Sequence, residues 1–418
     1  MKLNERGRAK YRPVDSNPEE VKQLLLEKIA EEEELIRELG SDEEIPELDY
    51  REDKINVISL FSGCGGLDLG VELAGLSAMI GEEKALEVFK DRDLFNDYRE
   101  KSIFHTVYAN DLFKEANESY RLNFPRVFQQ ELDIRKVKSF PKADLVLGGF
   151  PCPGFSEAGP RLIDDERNFL YIHFIRCLMQ AKPFAFVAEN VKGMLTLGKG
   201  EVINQIVQDF TSAGYHVKFK LVNSRDYGVP QLRERVFIIG IRDDLNFDYE
   251  FPEPTHGEDQ DQYPYVTLKE AIGDLESNPG DWFEGGFSPI YLSRNRKKDW
   301  NDQSFTIQAS GRQAPLHPSG PPMVKLEKDK WELPDDPSLH RRLSVKEIAR
   351  IQTFPDWFQF SDGGNMSVQK NNRLNKVYKQ IGNAVPVLLA KAMAMPLAEW
   401  AKNHIDQAKQ NHEQPVLK

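Results

Sequence analysis

Apolar residues along this chain change their spacing several times. Within residues 1–53, Val21, Leu24, Leu25, Ile29, Leu35 and Leu39 recur at roughly helical intervals among Glu and Lys, which predicts one amphipathic helix docking on a larger body. The acidic run Glu31 to Glu34 reads as a solvated face, and Ser41 to Asp49 as a linker. From Ile55 the pattern becomes strand, glycine turn, helix. Ile55 to Phe61 is a β-branched run followed by Ser62-Gly-Cys-Gly-Gly66 and a helix from Leu67 to Ala74. Val107 to Asp111 reads as a second strand, a third is expected to end at Asp133-Ile134, and Leu145 to Leu147 and Phe184 to Asn190 read as buried strands. Charged residues from Gly81 to Phe104 predict an inserted helix or loop; helices are expected over 168–181 and 201–213. His216 to Asn223 and Arg235 to Arg242 are joined by too short a connection for a crossover helix, so they are expected to run antiparallel. Alternation of this kind predicts a doubly wound α/β sheet. From about residue 246 the periodicity dissolves into Pro, Gly and aromatics, apart from a helix near Leu268 to Asp274. Helices return at Val345 to Gln352 and after Tyr378 to Pro386.

Composition changes this picture in three respects. A chain of 418 residues exceeds one ordinary core, so two domains and an appendage are expected. No apolar run is long enough to cross a membrane, and Met1 to Arg8 lacks the apolar core of a signal peptide. The three cysteines, Cys64, Cys152 and Cys177, are odd in number and never spaced as CxxC. That argues against a disulfide framework or zinc site and for a reducing, cytoplasmic setting. The net charge of −12 is unevenly spread: residues 1–53 hold 17 Asp and Glu against 9 Lys and Arg, which accounts for −8 of it. A basic face on the remainder is therefore compatible with the total.

Chemistry concentrates where strands end. After Leu147 the chain breaks at Gly148-Gly149 and carries Pro151-Cys152-Pro153 to the carboxyl edge of the sheet, where ligands gather in such folds. A cysteine so held is either a presented nucleophile or a small packed hydrophobe. The glycines of residues 62–66 let backbone approach a ligand closely, with a helix N-terminus favouring its negative end; a tight structural turn is the alternative. It is not GxGxxG, because Asp68 stands in the place of the third glycine. Asp111 at a strand end suits ribose hydroxyls, and Asp133 with Ile134 could meet an adenine ring, unless they merely cap helices. Glu189-Asn190 at the tip of an apolar strand is costly unless it serves something. The stretch from Ser293 to Lys298, with Ser310 to Gln313 and His317, is either a solvated loop or a surface whose arginines reach guanine edges and lysines reach phosphates.

These segments, in this order, resemble the DNA cytosine-5 methyltransferases from about Asn56 to Met395. The resemblance rests on Phe61-Ser-Gly-Cys-Gly-Gly66, Pro151-Cys152, Glu189-Asn190-Val191, Gln231-x-Arg233-x-Arg235, the run from Arg342 to Pro355 containing Ile351-Gln-Thr-Phe-Pro, and Gly382-Asn-Ala-Val-Pro386. It implies an S-adenosylmethionine-dependent fold: a doubly wound, mostly parallel seven-stranded sheet with a smaller, irregular, mainly β/loop target-recognition domain. The implied divisions are a helical extension (1–53), a catalytic domain (54–245), a recognition domain (246–340) and a C-terminal segment (341–418) whose final helix completes the catalytic domain. S-adenosylmethionine would lie across Phe61, Ser62, Gly63, Cys64, Gly65, Asp111, Leu112, Asp133, Ile134, Pro151, Asn383, Ala384 and Val385, with no metal. Cys152 is similar in placement to the family's nucleophile. Glu189 would hydrogen-bond the ring at N3 and the amine, Arg235 with Arg233 would contact the base carbonyl, phosphates or catalytic loop, and Asn190 would brace the Pro-Cys backbone.

A closer resemblance, carried by Tyr291-Leu-Ser-Arg-Asn-Arg296 and Ser304 to Pro318, is to HaeIII-type enzymes, which methylate the inner cytosine of GGCC in duplex DNA. It implies Arg294, Arg296 and Arg312 as base readers, with Ser156, Arg161 and Arg167 closing on phosphates. It also implies monomeric action in a restriction-modification system, whose cognate endonuclease would act on the same site without direct contact. Two rivals remain at this stage. One is tRNA as substrate, against which stand about 95 residues between Asp244 and His340; the other is a catalytically silent homologue, against which stand the intact Cys152 and Glu189.

Overall fold

The structure, a computed structural model, describes residues 18–151, 169–334 and 336–409. Cys152, Ser156, Arg161 and Arg167 lie outside the described residues. In chain order the elements of the first part are α1 (Pro18–Leu39), β1 (Ile55–Leu60), α2 (Gly66–Ile80), α3 (Glu82–Val88), α4 (Arg92–Arg99), β2 (Phe104–Asp111), α5 (Lys114–Asn123), β3 (Phe128–Glu131), β4 (Leu145–Gly148), α6 (Phe169–Ala181), β5 (Ala185–Val191), α7 (Glu201–Ser212), β6 (Tyr215–Asn223), β7 (Gln231–Leu232) and β8 (Glu234–Arg242). Seven of these strands form one sheet in the order β3-β2-β1-β4-β5-β8-β6. Only β8 runs against its neighbours, pairing antiparallel with both β5 and β6. The sheet is therefore mostly parallel, and the chain reverses its winding between β1 and β4.

The central strands are apolar because helices cover both faces: every residue of β1 and β4 is buried. On one face α1, α6 and α7 supply Leu25, Ile29, Ile172, Ile175, Ile206 and Phe210 to a core shared with Val146 and Phe186. On the other, α2 packs against α11 (Val387–Asn403), through Val71, Ala74 and Ala78 against Leu389, Met393 and Leu397. That approach is close enough to require glycine: a Cβ on Gly66 would stand 2.6 Å from the carbonyl oxygen of Val385, and one on Gly70 would overlap Ala390 Cβ and the Val387 carbonyl. The most apolar helical stretch, Lys370–Asn403, is mostly buried in this core and is broken near Pro386 into α10 (Lys370–Asn383) and α11.

Three expectations change in detail. In α1 the buried face is Val21, Leu25, Ile29 and Ile36, whereas Leu35 and Leu39 are exposed; Leu35 lies one residue, and so roughly 100°, round the helix from Ile36. The 81–104 insertion forms two helices, α3 and α4, with Phe95 buried against Phe89 and Trp357. The helix after the glycine turn runs on to Ile80, well past Ala74.

Beyond β8 regular structure is sparse: α8 (Leu268–Ile272), β9 (Ser304–Phe305), the hairpin of β10 (Val324–Glu327) and β11 (Lys330–Glu332), then α9 (Val345–Ile351), α10, α11 and α12 (Ile405–Lys409). Planar stacking replaces secondary structure here. The Arg342 guanidinium sits over Phe287 and Tyr291, 4.5 and 4.9 Å from their centroids, and donates to the carbonyls of Gly285 and Gly286. The region is tied to the segment leading into β8 by β9, which pairs in parallel with β7 in a separate two-stranded sheet.

Candidate active site

A cavity of about 840 Å³ opens at the carboxyl ends of β1, β2, β4 and β5, where the winding reverses. Its first wall is the turn after β1. Phe61, Gly63 and Gly65 all take positive φ (55°, 56° and 93°), a path that only glycine follows without strain. A Cβ on Gly63 would meet no protein atom within 4 Å, so that position faces open space. The turn is locked from β2: the Asp111 carboxylate accepts from Gly63 N at 2.9 Å and from Phe113 N at 2.7 Å. Burial pushes the Asp111 carboxyl above the usual range, and these backbone donors act in the opposite direction. Leu112 beside it is 65% exposed, an apolar surface inside a polar rim.

The second wall holds Asp133 and Ile134. Asp133 accepts from the backbone and side chain of Arg135, which holds its carboxyl below the usual range, while Ile134 is buried. The third wall, Asn383 to Val385, comes from the turn between α10 and α11. Ser62, Cys64 and Pro151 complete the lining. Cys64 is buried and pushed up to about 12, so its thiol is inert there; Cys177 is buried and also raised. Volume, an outward-facing glycine, two carboxylates and an exposed leucine between them fit a nucleoside carrying a polar tail, which is the form of S-adenosylmethionine. Among the described residues no group of His, Cys, Asp and Glu could hold a metal ion.

At the far side of the same cavity β5 ends in Glu189 and Asn190. Glu189 Oε1 lies 2.9 Å from Arg235 Nε, across the antiparallel β5–β8 pair. A Cβ on Gly149 would stand 3.4 Å from Glu189 Oε2, so the glycine leaves room for that carboxylate. Asn190 Nδ2 donates to the Phe150 carbonyl at 3.0 Å and its Oδ1 accepts from Val191 N at 2.9 Å. The backbone leading to Pro151-Cys152 is thus held from β5.

Arg233 is buried, and its guanidinium donates to the carbonyls of Ile307 (3.3 Å), Gly382 (3.0 Å) and Ala384 (3.0 Å). Burial pushes it down to about 9, still a cation at neutral pH. These bonds tie Arg233 to the Ile307 segment and to the turn at Gly382 to Ala384, while its Nε has no hydrogen-bond partner and the residue lines the cavity beside Arg235. Two glutamines were missed as site residues although both stand inside quoted motifs. Gln231 bonds Ile307 N and Gln352, and Gln352 bonds the Ile381 and Ala384 carbonyls. A glutamine between apolar residues on a short strand or helix carries little signal until its partners are known.

Of the three arginines expected to read bases, Arg294 and Arg312 are exposed, with no hydrogen bond or ion pair to the described residues. Arg296 differs. It is 5% exposed, stacks on Tyr291 at 4.8 Å, and donates to the Tyr291 carbonyl (3.1 Å) and to Gln313 Oε1 (2.6 Å). Its guanidinium braces Gln313, unlike the free side chains of Arg294 and Arg312. Arg294, Arg296 and Gln313 share a second cavity of about 450 Å³ with Leu232 and Phe305.

A nucleoside-sized cavity at the switch point of this particular sheet, mostly parallel with one reversed strand next to its edge, defines the S-adenosylmethionine-dependent methyltransferase fold. Within that class the chain belongs to the C-5 cytosine-specific DNA methylases, whose family profile matches residues 55–399, and it is a DNA (cytosine-5-)-methyltransferase. It is 65% identical over 414 residues to the Type II methyltransferase M.BsuRI of Bacillus subtilis, covering 98% of this chain and 95% of that one. It is 63% identical to the Type II methyltransferase M.BspRI of Lysinibacillus sphaericus, covering 100% and 99%. Among solved structures, a mutant of Spodoptera frugiperda DNMT2 superposes with a TM-score of 0.55 at 16% identity, covering 82% of this chain and 99% of that one, a likeness of fold alone.

Proposed function

We propose that this chain methylates carbon 5 of the inner cytosine of GGCC in duplex DNA, as the modification arm of a Type II restriction-modification system. The observation that carries the chemistry is the meeting, in one cavity, of Glu189 paired to Arg235 with the Pro151 end of a loop that Asn190 holds in place. The relatives' Type II names support the setting, and the resemblance of 291–318 to HaeIII-type enzymes supports the site.

Carbon 5 of cytosine is a weak nucleophile until a group adds at carbon 6. The target base is rotated out of the duplex into the cavity. The Cys152 thiolate bonds to carbon 6, and the electron pair displaced from the ring double bond makes carbon 5 nucleophilic. Glu189 hydrogen-bonds the ring at N3 and the exocyclic amine, stabilising the charge that develops on the ring. Arg235 orients Glu189 and faces the base carbonyl. Phe61 to Gly65, Asp111, Leu112, Asp133, Ile134, Pro151 and Asn383 to Val385 would hold S-adenosylmethionine, which would supply an electrophilic methyl. Carbon 5 would take that methyl as the methyl–sulfonium bond breaks, leaving S-adenosylhomocysteine, and would then lose its proton to a base as the ring double bond re-forms and the carbon–sulfur bond to Cys152 breaks. Ser156, Arg161 and Arg167 close on the phosphates, and Arg294 and Arg312 face the base edges.

The test is transfer of labelled methyl to duplexes containing GGCC, GCGC, CCGG or AGCT and to tRNA, with Cys152→Ala alongside. Label in GGCC alone, lost in Cys152→Ala, is the expected result. Label in another duplex would overturn the site; label only in tRNA would overturn the substrate.

A further inference from the structure

The cofactor wall at Asn383 to Val385 and the recognition segment around β9 are far apart in sequence, yet three buried polar side chains bind both. Gln231 and Gln352 have no exposed surface and Arg233 is 1% exposed. From the recognition side they capture one residue's backbone completely: Ile307 N donates to Gln231 Oε1 at 2.8 Å, and Ile307 O accepts from Arg233 at 3.3 Å. From the cofactor side they capture one carbonyl twice: Ala384 O accepts from Arg233 at 3.0 Å and from Gln352 Nε2 at 3.1 Å. Gln231 Nε2 donates to Gln352 Oε1 at 2.8 Å and closes the circuit. The two backbones also touch directly, since a Cβ on Gly382 would stand 2.6 Å from Ala309 N.

Such a set is costly to build by halves. A buried amide whose partner moves away loses a hydrogen bond with no water to replace it. The segment carrying Ile307 continues within a few residues to Arg312 and Gln313. A shift of that segment on engaging DNA must therefore either carry Ala384 with it or break several buried bonds, and the wall responds as one piece with the segment.

We infer that Gln231, Arg233 and Gln352 form an interlock coupling target recognition to the cofactor pocket, with Gln352 as the positioning residue for the Asn383–Val385 wall. This rests on the proposed reading of residues 304–313 as facing DNA. By linkage the coupling is reciprocal: target duplex tightens cofactor binding by the factor by which cofactor tightens duplex binding.

The probe is S-adenosylhomocysteine, titrated calorimetrically into the full chain alone and with a saturating duplex, the duplex being whichever sequence the methyl-transfer assay labels. Wild type is expected to bind at least about 5-fold more tightly with duplex, the lower end of ordinary coupling. In Gln352→Met and Gln231→Met the enhancement is expected to fall below about 2-fold, whatever the affinity in the absence of DNA, whereas a merely structural role would weaken both titrations alike and leave their ratio unchanged. Hydrogen exchange on wild type gives a second readout that needs no variant: duplex alone should slow exchange at Ala384 and Val387. An unchanged ratio in foldable variants, or no protection at those amides, overturns the interlock. If no duplex is labelled, the reading of function fails first.

Discussion

Asp68 is the buried acid that stands where nucleotide-binding turns place a third glycine, and its burial has a measurable cost. It lies in the first turn of α2, 1% exposed, with Tyr120 donating to Oδ1 at 2.8 Å. Burial pushes its carboxyl from 3.8 to about 6, Glu72 adding to the rise, while Ser59, Tyr120 and the helix N-terminus oppose it. Because the folded value is the higher one, the folded state holds a proton between pH 4 and 6 that the unfolded state has lost. Stability therefore falls as pH rises through that window. A rise of roughly two units is worth about 3 kcal/mol at neutral pH, of which about 1.4 kcal/mol develops between pH 5 and 8. Asp68→Asn keeps an acceptor for Tyr120 and removes the charge. In urea unfolding at pH 5, 6, 7 and 8, the variant should gain on wild type by about 1–2 kcal/mol from the lowest pH to the highest. Every other titrating group cancels in that difference. A gap that stays flat, or one that closes as pH rises, would refute the account of Asp68 as a desolvated acid held against its ordinary titration.

The remaining expectations concern other parts of the molecule. Gly70→Ala gains about 1 kcal/mol in helix propensity but drives a methyl into Ala390 and Val387, an overpacking of about 1–3 kcal/mol, so the urea midpoint should fall and S-adenosylhomocysteine affinity with it. Glu189→Gln should lower kcat about 10²–10³-fold in the methyl-transfer assay, while calorimetric S-adenosylhomocysteine binding stays within a few-fold. His173 is buried beneath α1, pushed down to about 3, with neither ring nitrogen hydrogen-bonded. The unfolded state protonates it below 6.5 and the folded state does not, so stability should fall as pH drops from 6.5 and His173→Leu should flatten that acid limb in thermal melts. Arg294→Ala and Arg312→Ala should each weaken labelled-duplex binding by about 1–3 kcal/mol in fluorescence anisotropy and leave the melting temperature unchanged, whereas Arg296→Ala should lower the melting temperature.

Strand positions, and the segments after β1, β2 and β4 that line the cavity, were legible because each rests on local pattern. β1 is a β-branched run closed by glycines, and β5 is an apolar run closed by two polar residues. The helical period of α1 was legible too, though not which of Leu35 and Ile36 turns inward, since adjacent apolar residues fit either register. What escaped was decided by tertiary contact. An arginine in Gln231-x-Arg233-x-Arg235 carries the same charge whether it faces a base or three buried carbonyls, and only the position of Ile307 and Ala384 separates the two roles of Arg233 and Arg235. Arg294 and Arg296 likewise look alike in an irregular stretch; Tyr291 and Gln313 take one and leave the other. Gly66 was read as concerned with the turn and its ligand, but a Cβ there would meet Val385, and Gly70, on which no reading was made, serves α11, whose sequence lies more than 300 residues downstream.

That last pairing has a consequence for how the protein is made. α2 leaves the ribosome early, with a glycine-notched apolar groove of Val71, Ala74 and Ala78. Its helical cover on that face, α11, follows more than 300 residues later, roughly 15–60 s at ordinary elongation rates. For that interval the nascent chain carries an unpaired core surface and a cavity that lacks its third wall. Chaperone occupancy during synthesis, and a sharp onset of protease resistance only when α11 has emerged, are built into the order of the elements.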